Sequence, residues 1–435
     1  MASAKRPSAE GRVTIARHGA LPSRHPLVSI IAMVAVVLGI AGVSLTGITA
    51  FNLWDATRAI ADNSVVLDDE KSLPPSLGAI EGGVNLLLVG TDSCEGQDVS
   101  IFPRCANDDS PGERNDVTML VHISDEPRRV TVVSFPRDML VPIPSCKKPD
   151  GSGNISAMSS QMINASYWYG GLGCTVDTVE ALIGDDFNID FAAAIRWTGV
   201  INMSDAVGGV DVCVAGDIND GHTGLHLTAG THTLKGVEAL QFLRIRHGIG
   251  DGSDLGRISN QQQFMGSMVR KLQSDSVLAN PATLLNLATT AISQVQQGQL
   301  VLSSGLTNPT LMVQIAMAVK DVPYEDIVFV QYPTVYSSDG LRVQPVKADA
   351  KALFDAIKAN QPLTLTGDAS GGYAVEVTGE ATQPVAPAPG ATDTGATPAA
   401  GTDTPVAPPA EERVALPSDI TGQTAADTTC TLPQK

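Results

Sequence analysis

Aromatic side chains are scarce, at 4% of 435 residues, which leaves little material for an extended sugar-stacking surface. Basic charge is short too. Lys and Arg number 28 against 46 Asp and Glu, a formal net charge of −18, whereas nucleic-acid binders carry a basic footprint. With no helix-turn-helix signal either, no nucleic-acid partner is expected. The six cysteines form no Cys-x-x-Cys or His-x-Cys pair, the kind of spacing a structural zinc site uses. No P-loop, dinucleotide fingerprint or internal repeat is present.

One long apolar run stands out. Pro26 through Trp54 carries no charged side chain. Residues 26–51 are expected to form one transmembrane helix, because about 20 apolar residues cross a bilayer core. Lys5, Arg6, Arg12, Arg17 and Arg24 precede it against the single Glu10, so residues 1–25 are expected in the cytoplasm and the rest outside. A cleaved signal peptide ending near Ala50 is the competing reading, but the apolar run exceeds a usual signal core. On an exported chain the cysteines suggest disulfides. Cys94 and Cys105 can pair across one loop, and Cys146 with Cys174 is a plausible second pair. Cys213 and Cys430 are left over.

Composition divides the exterior part. Residues 52–82 read as a polar, mostly acidic stalk containing Pro74-Pro75, and residues 83–368 as one sizeable α/β domain. Residues 369–435 read as a disordered tail. From Glu380 to Ala410 the composition collapses to Ala, Pro, Thr and Gly, too little apolar surface to offset ordering. Cys430 either tethers that tail back or stays free.

Arginine and aspartate recur together at apparent element ends. The groups are Gly90-Thr91-Asp92, Arg114-Asn115-Asp116, Pro136-Arg137-Asp138, Arg244-Ile245-Arg246 and Asp254-Leu255-Gly256-Arg257. Carboxylates hold divalent metals and arginine forks grip phosphate oxygens, so a site with both suits a phosphate or pyrophosphate. Residues 85–90, 117–123 and 130–135 read as strands, the last two joined by the turn-like Ser124-Asp125-Glu126-Pro127. If the three run antiparallel in sequence order, Asp92, Asp116, Arg137 and Asp138 converge on one edge of the sheet. The bland reading of each pair alone is a surface ion pair, which stabilises little.

The later groups are less constrained. Arg244 and Arg246 share a face only if Phe242 to Arg246 is extended; in a helix they diverge by about 200°. Asp254, Arg257 and Gln261 lie on one helical face, with Asp254 also a candidate N-cap. Gly248-Ile249-Gly250-Asp251-Gly252 reads as a flexible loop able to close over a ligand. Asn164 is a weak site candidate that alternatively caps a helix. Trp168 and Tyr169 either stack on sugar or fill a core. Phe187, Phe191, Ile195, Trp197, Val200, Ile201, Met203 and Val207 either line an apolar tunnel or belong to an ordinary core. His122 and His247 read as structural.

Together these motifs resemble the LytR-CpsA-Psr (LCP) family of cell-wall glycopolymer ligases over about residues 85–272. The carriers are the Asn85–Asp92 segment, Arg114-Asn115-Asp116, Phe135-Pro136-Arg137-Asp138, Ile163-Asn164, Ala206 to Val212, Ala239 to Arg246 and Asp254 to Gln262. The resemblance implies a three-layer α-β-α domain with a central mixed sheet. It implies a Mg2+-assisted phosphotransferase that moves a glycan phosphate from a polyprenyl-pyrophosphate-linked glycan to a wall acceptor hydroxyl, commonly on peptidoglycan. Asp92 and Asp116 would hold the metal. Arg114, Arg137, Arg244, Arg246 and Arg257 would grip the pyrophosphate with Gln261 nearby, while Asp138 and Asp254 orient arginines or support the metal shell. Two positions depart from the family pattern: Cys94 and Asn260 stand where arginines are usual. A Cys94–Cys105 bridge could bring Arg104 back to the first of these. A polyprenyl-phosphate or wall-polymer binding or regulatory protein, and a pyrophosphate hydrolase, are the rival readings.

Overall fold

The computed structural model describes residues 64–67, 83–107, 113–184, 187–274, 281–369, 373–383 and 412–434. The two larger sheets use β1 (Ser64–Val65), β2 (Val84–Thr91), β3 (Asn115–Ile123), β4 (Val130–Phe135), β5 (Phe191–Ile195) and β6 (Val210–Val214). They continue with β7 (Gly230–Leu234), β8 (Leu300–Ser303), β9 (Ile327–Gln331), β10 (Val375–Glu380), β11 (Gly422–Thr424) and β12 (Asp427–Thr431). The helices are α1 (Ala165–Ile183), α2 (Trp197–Val207), α3 (Gly236–Arg244), α4 (Asp254–Gln273), α5 (Pro281–Gln296), α6 (Pro309–Val319) and α7 (Lys347–Lys358).

Strand alternation builds the layers. In β2, β3 and β4 the side chains of Leu87, Val89, Leu120, Val133 and Phe135 point to one face and pack under α1 and α7. Their neighbours Val84, Leu88, Met119, Val130 and Val132 point to the other, against α4, α5 and α6. Helices thus cover both faces, and the expected three layers are present. The central sheet has eight strands in the order β1-β8-β5-β2-β3-β4-β9-β11. It is mixed: β2 is antiparallel to β3 and β3 to β4, while β5 runs parallel to β2 and β9 parallel to β4. The C-terminal ends of β2, β4, β5 and β9 therefore meet the N-terminal end of β3 at one end of the sheet. A second sheet, β7-β6-β12-β10, packs on α3 and α4 through Val212, Phe242 and Phe264.

Several expectations are corrected. The described parts of residues 369–435 form no disordered tail. They supply β10, β11, β12 and the Val414–Ala415 strand, and β12 pairs in parallel with β6. These strands are short and polar, so their order comes from partners far away in sequence. Cys430 is bonded to Cys213, and Gln263 Nε2 donates to the Thr429 carbonyl at 2.7 Å. Residues 384–411 lie outside the described residues. The stalk is not wholly a stalk either, because β1 pairs with β8 and Leu67 is buried. The Gly248–Gly252 loop is pinned rather than free. Gly250 N–H donates to Leu432 O and Asp251 N–H to Tyr373 O, and a Cβ at Gly250 would stand 1.7 Å from the Tyr373 carbonyl oxygen. Residues 1–25 and the proposed helix 26–51 lie outside the described residues; among the described residues no helix is long and apolar enough to cross a membrane. The Cys94–Cys105 and Cys146–Cys174 pairs are formed as expected.

Candidate active site

The strand order brings the first three motifs together. Asp92 follows β2, Asp116 is the second residue of β3, and Arg137-Asp138 follow β4. Backbone hydrogen bonds lock them. Asp92 N–H donates to Arg114 O at 3.1 Å, and Asp92 Oδ1 accepts from Arg114 N–H at 3.0 Å. Asn164, just before α1, ties two of the motifs: its N–H donates to Arg137 O at 3.1 Å and its carbonyl accepts from Asn115 N–H at 3.4 Å. The N-terminus of α1 therefore opens at this end of the sheet.

The later motifs arrive on α3 and α4. α3 ends at Arg244, and Ile245 turns extended, so Arg246 leaves the helix. This is neither a continuous strand nor a continuous helix, yet both arginines lie within electrostatic reach of Asp116. Arg244 also lies over the Trp197 ring, 4.2 Å from its centre. At the start of α4, Ser253 is the N-cap, its hydroxyl accepting from Gly256 N–H at 3.0 Å. Asp254, whose alternative reading is the N-cap, is thereby left free of that role and faces the arginines.

Those arginines interlock with the carboxylates. Arg137 Nη1 donates to Asp116 Oδ1 at 2.6 Å, and its Nε lies 3.5 Å from Asp254 Oδ1. Arg257 Nη2 lies 2.7 Å from Asp254 Oδ1 and donates to the Asp116 carbonyl at 2.7 Å. Burial works to raise the Asp116 pKa, but Arg257 and then Arg137 outweigh it and hold the carboxyl below the usual carboxylate range. Asp138 moves the other way, raised by burial first and by the charge of Asp254 second. Arg246 is lowered by burial and by Arg137 and Arg257, so positive charge is crowded here. Asp138 Oδ1, Asn164 Oδ1 and Arg257 Nε are buried without a hydrogen-bond partner. Unsatisfied buried polar atoms cost roughly 1–3 kcal/mol each, and their clustering suits a site completed by a polar ligand.

Not every candidate reaches inward. Gln261 is 2% exposed and donates from Nε2 to Leu243 O at 2.8 Å, which steadies the end of α3 beneath Arg244. Asn260 is likewise structural, donating to Phe242 O at 2.7 Å and accepting from Thr431 Oγ1 at 2.6 Å. Seven of the eight apolar tunnel candidates scatter over separate clusters: Phe187 packs with α7, Phe191 lies on the opposite sheet face, and Trp197 and Ile201 pack with Phe102. A cavity of about 510 Å³ lies elsewhere, between α1 and α7, lined by Leu140, Leu182, Tyr332 and Phe354. His122 bonds Asn85 Oδ1 and the His247 ring lies tilted against His222, centroids 4.3 Å apart, so each has a structural partner. The side chain of Arg104 lies outside the described ones.

The sequence reading missed Arg196 and Glu113. Arg196 follows β5, donates to both Glu113 carboxylate oxygens at 3.1 and 2.8 Å, and reaches Glu95 at 3.1 Å. Thr91 Oγ1 donates to Glu113 as well. The signal was available, since a charged residue directly after a parallel strand next to β2 must emerge at this same end.

Four aspartates and a bank of arginines lie at one end of a mixed sheet between helical layers, in an α/β domain. Residues 53–358 match the model of the LytR_cpsA_psr family, and the chain belongs to that family. It is 30% identical over 267 residues to the Probable cell wall biosynthesis protein LcpB of Corynebacterium glutamicum, covering 60% of this chain and 58% of that protein. The Cell wall biosynthesis protein LcpA of the same organism is 28% identical over 235 residues, 48% of this chain and 44% of that protein. The chain thus spans about half the length of these two curated relatives. The polyisoprenyl-teichoic acid–peptidoglycan teichoic acid transferase TagU of Bacillus cereus is 29% identical over 254 residues, 57% of this chain and 74% of that protein.

Proposed function

We propose that this chain transfers a glycan phosphate from a polyprenyl-pyrophosphate-linked donor to a hydroxyl of a wall acceptor, peptidoglycan first among them, releasing polyprenyl monophosphate. The names of the relatives, wall biosynthesis proteins and a teichoic acid transferase, support the class. The observation that carries the reading is Asp116 set between Arg137 and Arg257, with Arg244 and Arg246 in electrostatic reach. Phosphoryl transfer is mainly positioning and neutralisation of charge on non-bridging oxygens, and arginines stay charged throughout.

In this reading Arg137, Arg244, Arg246 and Arg257 hold the pyrophosphate, with Arg114 at its glycan side, while the buried Asn164 Oδ1, an acceptor, takes a hydroxyl of the substrate. Asp254 keeps Arg137 and Arg257 in place. Asp92 and Asp116 fit Mg2+, a cation that takes one or two carboxylates and otherwise keeps waters and phosphate oxygens; Asp116 stays ionised despite burial because of its arginines. When bound, the metal would neutralise phosphate charge. Asp138, half-buried and with an unpartnered Oδ1, accepts the proton of the acceptor hydroxyl. The deprotonated hydroxyl oxygen of the acceptor bonds to the glycan-bearing phosphorus, and the bond from that phosphorus to the bridging oxygen breaks, leaving the electron pair on polyprenyl monophosphate. Residues 26–51 would anchor the chain in the membrane that carries the donor, with the domain outside.

The test uses the full chain in detergent with donor, Mg2+ and peptidoglycan oligomers, and follows release of polyprenyl monophosphate. Asp116→Ala and Arg246→Ala should each abolish release. Undiminished release in either variant would remove the arginine–carboxylate cluster from the chemistry.

A further inference from the structure

Trp168 is exposed beside the site, whereas the other site tryptophan is covered. It is 39% exposed, against 4% for Trp197 beneath Arg244. Its ring stacks on Tyr169, centroids 5.2 Å apart and planes within 22°. The Arg114 guanidinium stands 5.2 Å from the centre of the same ring. An apolar ring left half in water next to a charged site is the kind of surface that packs against the C–H face of a pyranose.

The ring is held in place. Trp168 and Tyr169 occupy the first turn of α1, directly after Asn164 and its bonds to Arg137 and Asn115. Gly170 and Gly171 leave helical geometry, so this turn is set off from the rest of α1. Cys174, bonded to Cys146, closes the joint: a Cβ at Gly170 would stand 2.4 Å from Cys174 Cβ. A disulfide and a glycine kink thus fix the angle at which the indole faces the site.

We propose that Trp168 is the platform for the first sugar of the donor, the one attached to the pyrophosphate. This rests on the phosphotransferase reading above. The donor is favoured over the acceptor because Arg114 connects the two groups: its side chain lies on Trp168 while its N–H bonds Asp92. A ring stacked there is adjacent to the phosphate grip. Among the described residues a second exposed aromatic near the site, Tyr336, lies by Asp138 and Ser253 instead, on the side assigned to the incoming hydroxyl.

The experiment measures binding of two lipids to the full chain in detergent by titration calorimetry: polyprenyl pyrophosphate, and the same lipid bearing one N-acetylhexosamine. Wild type should bind the sugar-bearing lipid roughly five- to tenfold more tightly, the range of an aromatic contact. Trp168→Ala should lose that preference while keeping its affinity for the sugar-free lipid, and Trp168→Phe should restore most of it. In turnover, Trp168→Ala should raise the donor KM and leave the acceptor KM unchanged. A preference that survives Trp168→Ala, an equal loss for both lipids, or a shift in the acceptor KM alone would overturn the assignment. If wild type bound neither lipid, the phosphotransferase reading would fall, and this inference with it.

Discussion

Arg137 grips Asp116 with Nη1 at 2.6 Å while its Nε faces Asp254 at 3.5 Å. One planar fork thus joins a residue that starts β3 to one that starts α4. A lysine would keep the charge and lose the span, since it is a point charge without fixed geometry. Arg137→Lys should therefore lower kcat/KM for polyprenyl monophosphate release on the order of 100-fold. Circular dichroism should show the fold retained.

Asp254 and Arg257 form a buried pair, 8% and 4% exposed. Removing the carboxylate leaves arginine charge uncompensated, and breaking such a pair costs about 3–5 kcal/mol. Asp254→Ala should lower the urea midpoint accordingly. The double variant Asp254→Leu with Arg257→Met should recover much of that stability and remain inactive.

The two aspartates beside Arg137 carry opposite pH signatures. Asp116, held below the usual range, stabilises the fold at pH above its unfolded value, and that contribution is lost as pH falls through its lower folded value. Asp138, raised by burial and Asp254, is ionised at a cost at neutral pH, and the cost is relieved as pH falls through its raised folded value. Asp138→Asn should stabilise the domain at pH 7, because it removes a charge that burial and Asp254 disfavour there. The gain should shrink as pH falls through the raised folded value of Asp138 and vanish once the carboxyl is protonated in both the folded and the unfolded chain. Transfer should fall sharply in the same variant. Urea melts at several pH values, paired with activity, check both.

The Cys213–Cys430 bridge closes a sequence separation of 217 and fixes β12 beside β6. Replacing both cysteines with alanine should cost about 2–4 kcal/mol. It should also make the segment around β12 the first site of proteolysis, because Thr431 and Thr429 hold Asn260 and Gln263 of α4. Mass spectrometry of limited digests would locate the cut.

The strands that build the site were legible because each is a run of apolar residues ended by a turn signal. Residues 85–90, 117–123 and 130–135 fall within β2, β3 and β4, with the hairpin in the expected place. Their antiparallel order sufficed to bring Asp92, Asp116 and Arg137 to one end. What escaped depends on partners distant in sequence. β12 is a polar pentapeptide that becomes a strand beside β6, and β1 is two residues long. That Ser253 and not Asp254 caps α4 depends on the local backbone, since either side chain can accept from the first turn. Arg196 was overlooked for a different reason: it stands alone in the sequence, with Glu113 supplied from the far side of β2.

The most direct measurement places a radioactive label on the glycan-bearing phosphorus of the donor and asks where it goes. The full chain, donor, Mg2+ and peptidoglycan oligomers are combined, and peptidoglycan, free glycan phosphate and lipid are separated. Label in a phosphodiester on peptidoglycan, with one unlabelled polyprenyl monophosphate released per transfer and none of this in Asp116→Ala, is the predicted result. Label appearing in free glycan phosphate at the same rate with and without peptidoglycan would contradict transfer and make the chain a hydrolase.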